Sequence, residues 1–130
     1  MENNKQKVLI IDDDRFLLNM YSLKFQKSGF EVDTTESGED ALTKLRGGVL
    51  PDVLLVDVAM PAMDGIDFLK NMRKENLVPN ATIIVLSNQN QPNDIERAKD
   101  LGIASYLVKA SYIPSEVVAE VVKIVNQRKG

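Results

Sequence analysis

Apolar residues along this chain fall into two kinds of run, and the two kinds alternate. Unbroken stretches, VLII at residues 8–11, VLLV at 53–56, TIIVL at 82–86 and ASYLV at 104–108, are rich in β-branched side chains and too short for helices, so they predict buried strands. A weaker strand is expected over residues 30–34. Between these runs the apolar positions recur at three- and four-residue steps, the spacing of one helix face. Phe16, Leu17, Met20, Leu23 and Phe25 predict a helix over residues 15–27 that Gly29 closes. Ser37 is placed to cap a second helix over 39–45, ended by Gly47 and Gly48. Ile66, Phe68, Leu69 and Met72 give a third over 66–75. A fourth opens at Pro92 and stops at Gly102, and a fifth over 114–127 carries Val117, Val118, Val121, Val122, Ile124 and Val125.

Five alternations of strand and helix with short connections predict an α/β fold. Parallel neighbours need helical crossovers of one hand, so the sheet is expected to be parallel and covered on both faces. The 130 residues suit a single domain over 1–130, with no output domain expected in this chain. The opening MENNKQK has no apolar segment behind it long enough for a signal peptide or anchor, and an intracellular, cytoplasmic setting is the expectation.

Composition then removes much chemistry. There are no cysteines and no histidines, which excludes disulfides, thiolate or imidazole zinc sites, thiol nucleophiles, histidine general bases and any phosphohistidine on this chain. A net charge of -3 without a basic run argues against direct nucleic-acid binding, because phosphate contacts need clustered Lys and Arg.

What remains gathers at the strand ends. Asp12 and Asp13 follow the first strand, Asp57 the third, Ser87 the fourth and Lys109 the fifth. In a parallel sheet these ends share one edge, the edge where ligands bind in open α/β folds. Carboxylates held together raise one another's pKa, a cost that a divalent cation removes, and oxygen-only ligands favour Mg²⁺ or Mn²⁺ over zinc. A metal beside a lysine, a hydroxyl and a carboxylate is suited to phosphoryl groups, and Asp57, alone at the end of the central strand, is the expected nucleophile. Taken singly, the acids after residue 11 are a polar strand exit with Asp14 on the helix dipole, Lys109 is a solvated lysine and Ser87 a turn residue. Their joint arrival on one edge carries the reading.

The motifs LIIDDD, LLVDVAMPAMDG, IIVLS and YLVK, in this order over roughly residues 7–125, resemble the receiver domains of two-component response regulators, of the chemotaxis-regulator type. The resemblance implies a flavodoxin-like five-stranded parallel sheet of order 2-1-3-4-5 with five helices. It implies that Asp57 accepts a phosphoryl group from the phosphohistidine of a sensor kinase or phosphotransfer protein. Asp13 and Asp57 would bind Mg²⁺ with the backbone carbonyl of Ala59, and Asp12 would act largely through water. Lys109 would contact the phosphoryl group, Ser87 would turn toward it, and Tyr106 would swing from exposed to buried in the same switch. Such a protein is a signalling phosphoacceptor with self-catalysed phosphorylation and dephosphorylation, not an output enzyme.

Three positions depart from the family pattern. Ala110 stands where proline with a cis bond is usual, so a trans bond and a displaced loop over 110–113 are expected. Asn88 is larger than the usual neighbour of Ser87, and Ala59 has no polar group to position a hydrolytic water, whereas Gln89 has one. Partners in the family often read the face of the fourth helix, fifth strand and fifth helix, which suits a downstream protein or a phosphorylation-dependent homodimer. In this chain the valines of the last helix are expected to pack on the sheet, with Asp94, Glu96, Arg97, Lys99 and Asp100 of the fourth forming a solvated face. The competing readings are a phosphorylation-independent interaction module and, on the same topology, an FMN binder whose phosphate the acidic edge would repel.

Overall fold

The structure, a computed structural model, describes residues 5–87 and 92–129. Five strands, β1 (Lys7–Ile11), β2 (Glu31–Thr35), β3 (Val53–Asp57), β4 (Thr82–Ser87) and β5 (Ser105–Val108), form one sheet of order β2-β1-β3-β4-β5 with every pair parallel. Helices α1 (Arg15–Lys27), α2 (Gly38–Arg46), α3 (Gly65–Lys74) and α4 (Pro92–Ala98) make the crossovers, and α5 (Pro114–Lys129) follows the last strand. None of the described helices is long and apolar enough to cross a membrane.

Period-two alternation divides the strand residues between two apolar layers. Val8 and Ile10, Val53 and Leu55, Ile84 and Leu86 face α1 and α5, where Leu18, Tyr21, Phe25, Val117, Val121 and Val125 meet them. Leu9 and Ile11, Leu54 and Val56, Ile83 and Val85 face Ala41, Leu42, Leu45, Ile66, Phe68, Leu69 and Met72 of α2 and α3. Each large side chain fully buried here contributes roughly 1.5–3 kcal/mol. Because β1, β3 and β4 are covered on both sides, their sequences read as continuous apolar runs.

The capping chemistry follows expectation in α2, where Ser37 accepts from the Asp40 amide, and Gly29 closes α1 with φ +91°. Two expectations are corrected. The inward face of α1 is Leu18, Tyr21 and Phe25, the last edge-to-face with Phe30 at 5.1 Å between ring centres, while Phe16 and Leu23 are 68% and 57% exposed. Phe25 and the partly buried Leu17 meet the expected stripe, but Phe16 and Leu23 do not, because α1 carries apolar residues on both faces. Asp14, expected as a first-turn acid, instead stands before the turn as the N-cap, accepting from the Leu17 amide at 3.2 Å. The other elements fall within one or two residues of expectation except α4, which ends at Ala98, three residues before the expected stop behind Leu101. After Lys109, a 3-10 turn (Lys109–Ser111) precedes α5, and the Lys109–Ala110 bond is trans like every described peptide bond.

Candidate functional site

Register fixes the site. Ile11 pairs with Val56, Asp57 with Leu86 and Ser87 with Val108, so β1, β3, β4 and β5 end nearly level, and the residue after or at each end faces the same edge. One carboxylate oxygen from each of Asp12, Asp13 and Asp57 lies within 4.8 Å of the others, with Asp13 exposed and the other two buried. Lys109, its side chain only 14% exposed, brings Nζ to 2.9 Å from Asp12 Oδ2 and 3.4 Å from Asp57 Oδ1.

The electrostatics of this group are unbalanced. Burial, reinforced by the charge of Asp12, pushes the Asp57 carboxyl up to about 7, with Lys109 and the Ala59 amide pulling the other way. Asp12 is likewise raised by burial, even though the Asp14 amide donates to its Oδ1 at 2.9 Å and Lys109 stands beside it. Burial alone would lower Lys109, but the two carboxylates outweigh it and hold the ammonium above its usual range. Tyr21 of α1, raised by burial and then by the charges of Asp12, Asp57 and Asp14, feels the same field from below. Among the described residues Asp12 Oδ2 and Asp57 Oδ1 are buried without an aligned hydrogen bond, so Lys109 meets them as a point charge. Two orphaned buried carboxylate oxygens beside an exposed third carboxylate fit a hard divalent cation with oxygen ligands.

The structure thus brings together Asp12, Asp13, Asp57 and Lys109, with Ala59 donating its amide to the Asp57 carboxylate. Ser87 is buried at the end of β4, the strand beside Asp57. Tyr106 of β5 is the residue expected to swing from exposed to buried. It is already half-buried against the α3 and α4 side, with its hydroxyl enclosed and without a hydrogen-bond partner among the described residues. Asn88 and Gln89 lie outside the described residues.

Two contributors were missed. Gly65, one residue before the expected start of the third helix, is the first residue of α3, and a Cβ there would collide with the Asp57 carbonyl oxygen and stand 2.8 Å from Val56 Cγ1. The position right after MPAMD, at a strand-to-helix turn, was the available signal. Arg97 is not a solvated charge but part-buried, forked onto Asp64 and Asp67 of the neighbouring helix, a contact that no spacing in the sequence announces.

Comparison with known proteins agrees with this geometry. The family described as the response regulator receiver domain matches residues 8–121. The DNA-binding response regulator MtrA of Mycobacterium tuberculosis is 31% identical over 121 residues, covering 93% of this chain and 51% of that protein. The alkaline phosphatase synthesis transcriptional regulatory protein PhoP of Bacillus subtilis is 30% identical over 94% of this chain and 49% of its own length. The chain therefore spans about half the length of these relatives. Among solved structures, the chemotaxis response regulator CheY4 of Vibrio cholerae superposes with a TM-score of 0.82 at 30% identity, covering 93% of this chain and 99% of that one. The response regulator TrrA of Thermotoga maritima, in complex with Mg²⁺ and beryllium fluoride, gives 0.76 at 28% identity over 92% and 98%.

Proposed function

The chain belongs to the response regulator receiver family of two-component signalling, and from that membership we propose that Asp57 is its phosphoacceptor. The observation that carries the assignment is a buried carboxylate at the end of the central strand, held high in pKa, with a lysine ammonium at 3.4 Å and two further aspartates in reach. An Asp57 oxygen attacks the phosphorus of a donor phosphohistidine. The new O–P bond forms as the P–N bond breaks, and the imidazole leaves with the electron pair. Lys109 sits where it can follow the phosphoryl charge, and Ser87 can turn its hydroxyl to the same group. Asp13, Asp57 and the Ala59 carbonyl would hold Mg²⁺ (or Mn²⁺) directly, and Asp12 through water. When bound, that ion neutralises the carboxylates and the phosphoryl oxygens.

Phosphorylation is then a population shift. Tyr106 and Ser87 select one of two arrangements, and the phosphoryl contacts bias the choice. The donor we assign is a sensor histidine kinase or a histidine phosphotransfer protein in the cytoplasm. The reader is a downstream protein, or a second copy, on α4, β5 and α5. Incubation with Mg²⁺ and acetyl phosphate or phosphoramidate should add one phosphoryl group by intact mass, with slow self-catalysed loss. Asp57→Asn should take none up, and undiminished labelling of that variant would overturn the assignment.

A further inference from the structure

The fourth helix is held in place more by charge than by packing. Among the described side chains of α4, Ala98 is the buried one, and Ile95 is 44% exposed. Arg97 supplies what packing does not. Its guanidinium reaches Asp64 Oδ2 at 3.0 Å and Oδ1 at 3.3 Å, Asp67 Oδ1 at 3.1 Å and Asp94 Oδ1 at 3.4 Å. The fork that pairs two donors with one carboxylate fixes direction as well as distance.

Asp64 is no ordinary surface acid. It is the N-cap of α3, accepting from the Asp67 amide at 2.8 Å, and it is the last residue of the loop that leaves Asp57. That loop is compact, since the amides of Met60 and Gly65 both donate to the Val58 carbonyl. Any displacement of the loop therefore carries the Asp64 carboxylate with it. Beyond the far end of α4 the tie is reversed, for Arg73 of α3 donates Nε to the Leu101 carbonyl at 2.9 Å. Arginine from each helix thus staples the other. A short, thinly packed helix tied by ionic contacts lies at the low end of local stability, and it can shift without disturbing the core.

We propose that Arg97 is a positioning residue that couples α4 to the acceptor loop, passing a change at Asp57 through the Asp64 carboxylate to the helix. The proposal rests on the reading of Asp57 as phosphoacceptor. Because binding linkage is reciprocal, a partner that holds α4 would act back on the loop through the same contact.

The test uses the whole chain labelled with ¹⁵N, with Mg²⁺ and beryllium fluoride as the phosphoryl mimic. Amides of Ala59 and Met60 report the loop, and those of Ile95 and Ala98 report α4. In the unaltered protein both sets should shift together. In Arg97→Ala the loop shifts should persist with unchanged Mg²⁺ dependence, while the α4 shifts shrink by about two-fold or more. Asp64→Asn, which keeps the N-cap but removes the charge, should do the same and decides the matter where Arg97→Ala fails to fold. Arg97→Lys, a point charge without the fork, should restore the α4 response in part. Full α4 shifts in Arg97→Ala or, where that fails to fold, in Asp64→Asn would overturn the coupling. Absence of any loop shift in the unaltered protein is a different result: it would remove the phosphoacceptor reading itself, and the coupling with it.

Discussion

At neutral pH Asp57 is poised between its two protonation states, because a buried carboxyl with a pKa of about 7 resists ionising. Its unfolded counterpart ionises near pH ~3.9, so between these limits the native protein binds more protons than the unfolded chain. The raised pKa therefore favours folding fully below about pH 4, and that contribution is lost as pH rises through about 7. In chelator, urea midpoints should show Asp57→Asn gaining on the unaltered protein between about pH 5 and pH 8, by on the order of a few kcal/mol, and Mg²⁺ should narrow the gap at the upper end. A gap that stays constant across that range would show that Asp57 does not ionise as described. Gly65 acts at the same scale through space. Gly65→Ala must push α3 away from the Asp57 carbonyl, an overpacking that should cost about 1–3 kcal/mol in urea melts and slow acetyl phosphate labelling. Asp12, Asp13, Asp57 and Lys109 were legible as letters at strand ends. The closeness of Gly65 and the fork of Arg97 were not, since each depends on how two separate elements approach.

For single elements, legibility tracked how many faces are buried. Strands β1, β3 and β4 announced themselves because strands covered on both faces carry unbroken apolar runs. Helix α1 hid its phase, since Phe16 and Leu23 supply a second apolar stripe that looks outward. The structure makes the two stripes unequal. Leu18→Ala and Phe25→Ala should each cost roughly 2–5 kcal/mol of unfolding free energy, whereas Phe16→Ala and Leu23→Ala should stay within about 0.5 kcal/mol. Equal losses from both pairs would mean that the inward face is wrongly assigned. The fifth helix posed no such ambiguity, because Val117, Val118, Val121 and Val125 all pack inward and its charged residues lie apart from them.

Across the whole molecule, alternation of strand and helix determined a parallel sheet, while the strand order came from family likeness and was met by the register of all four pairs. Charge patterning said least, because ion pairs such as Arg46 with Glu75 join residues remote in sequence. Every residue of β3 is buried, and the strand is central, with β1 and β4 on either side. Its amides have no route to solvent short of opening the whole sheet. Deuterium should therefore enter β3 only at the rate set by global unfolding, while residues 95–101 exchange many times faster through local opening. Comparable rates in the two segments would contradict this. In timing terms, the proposed acceptor Asp57 is bolted to what should be the slowest clock in the molecule and its proposed reader to one of the fastest, so a signal written there would not wait for the scaffold to move before it is delivered.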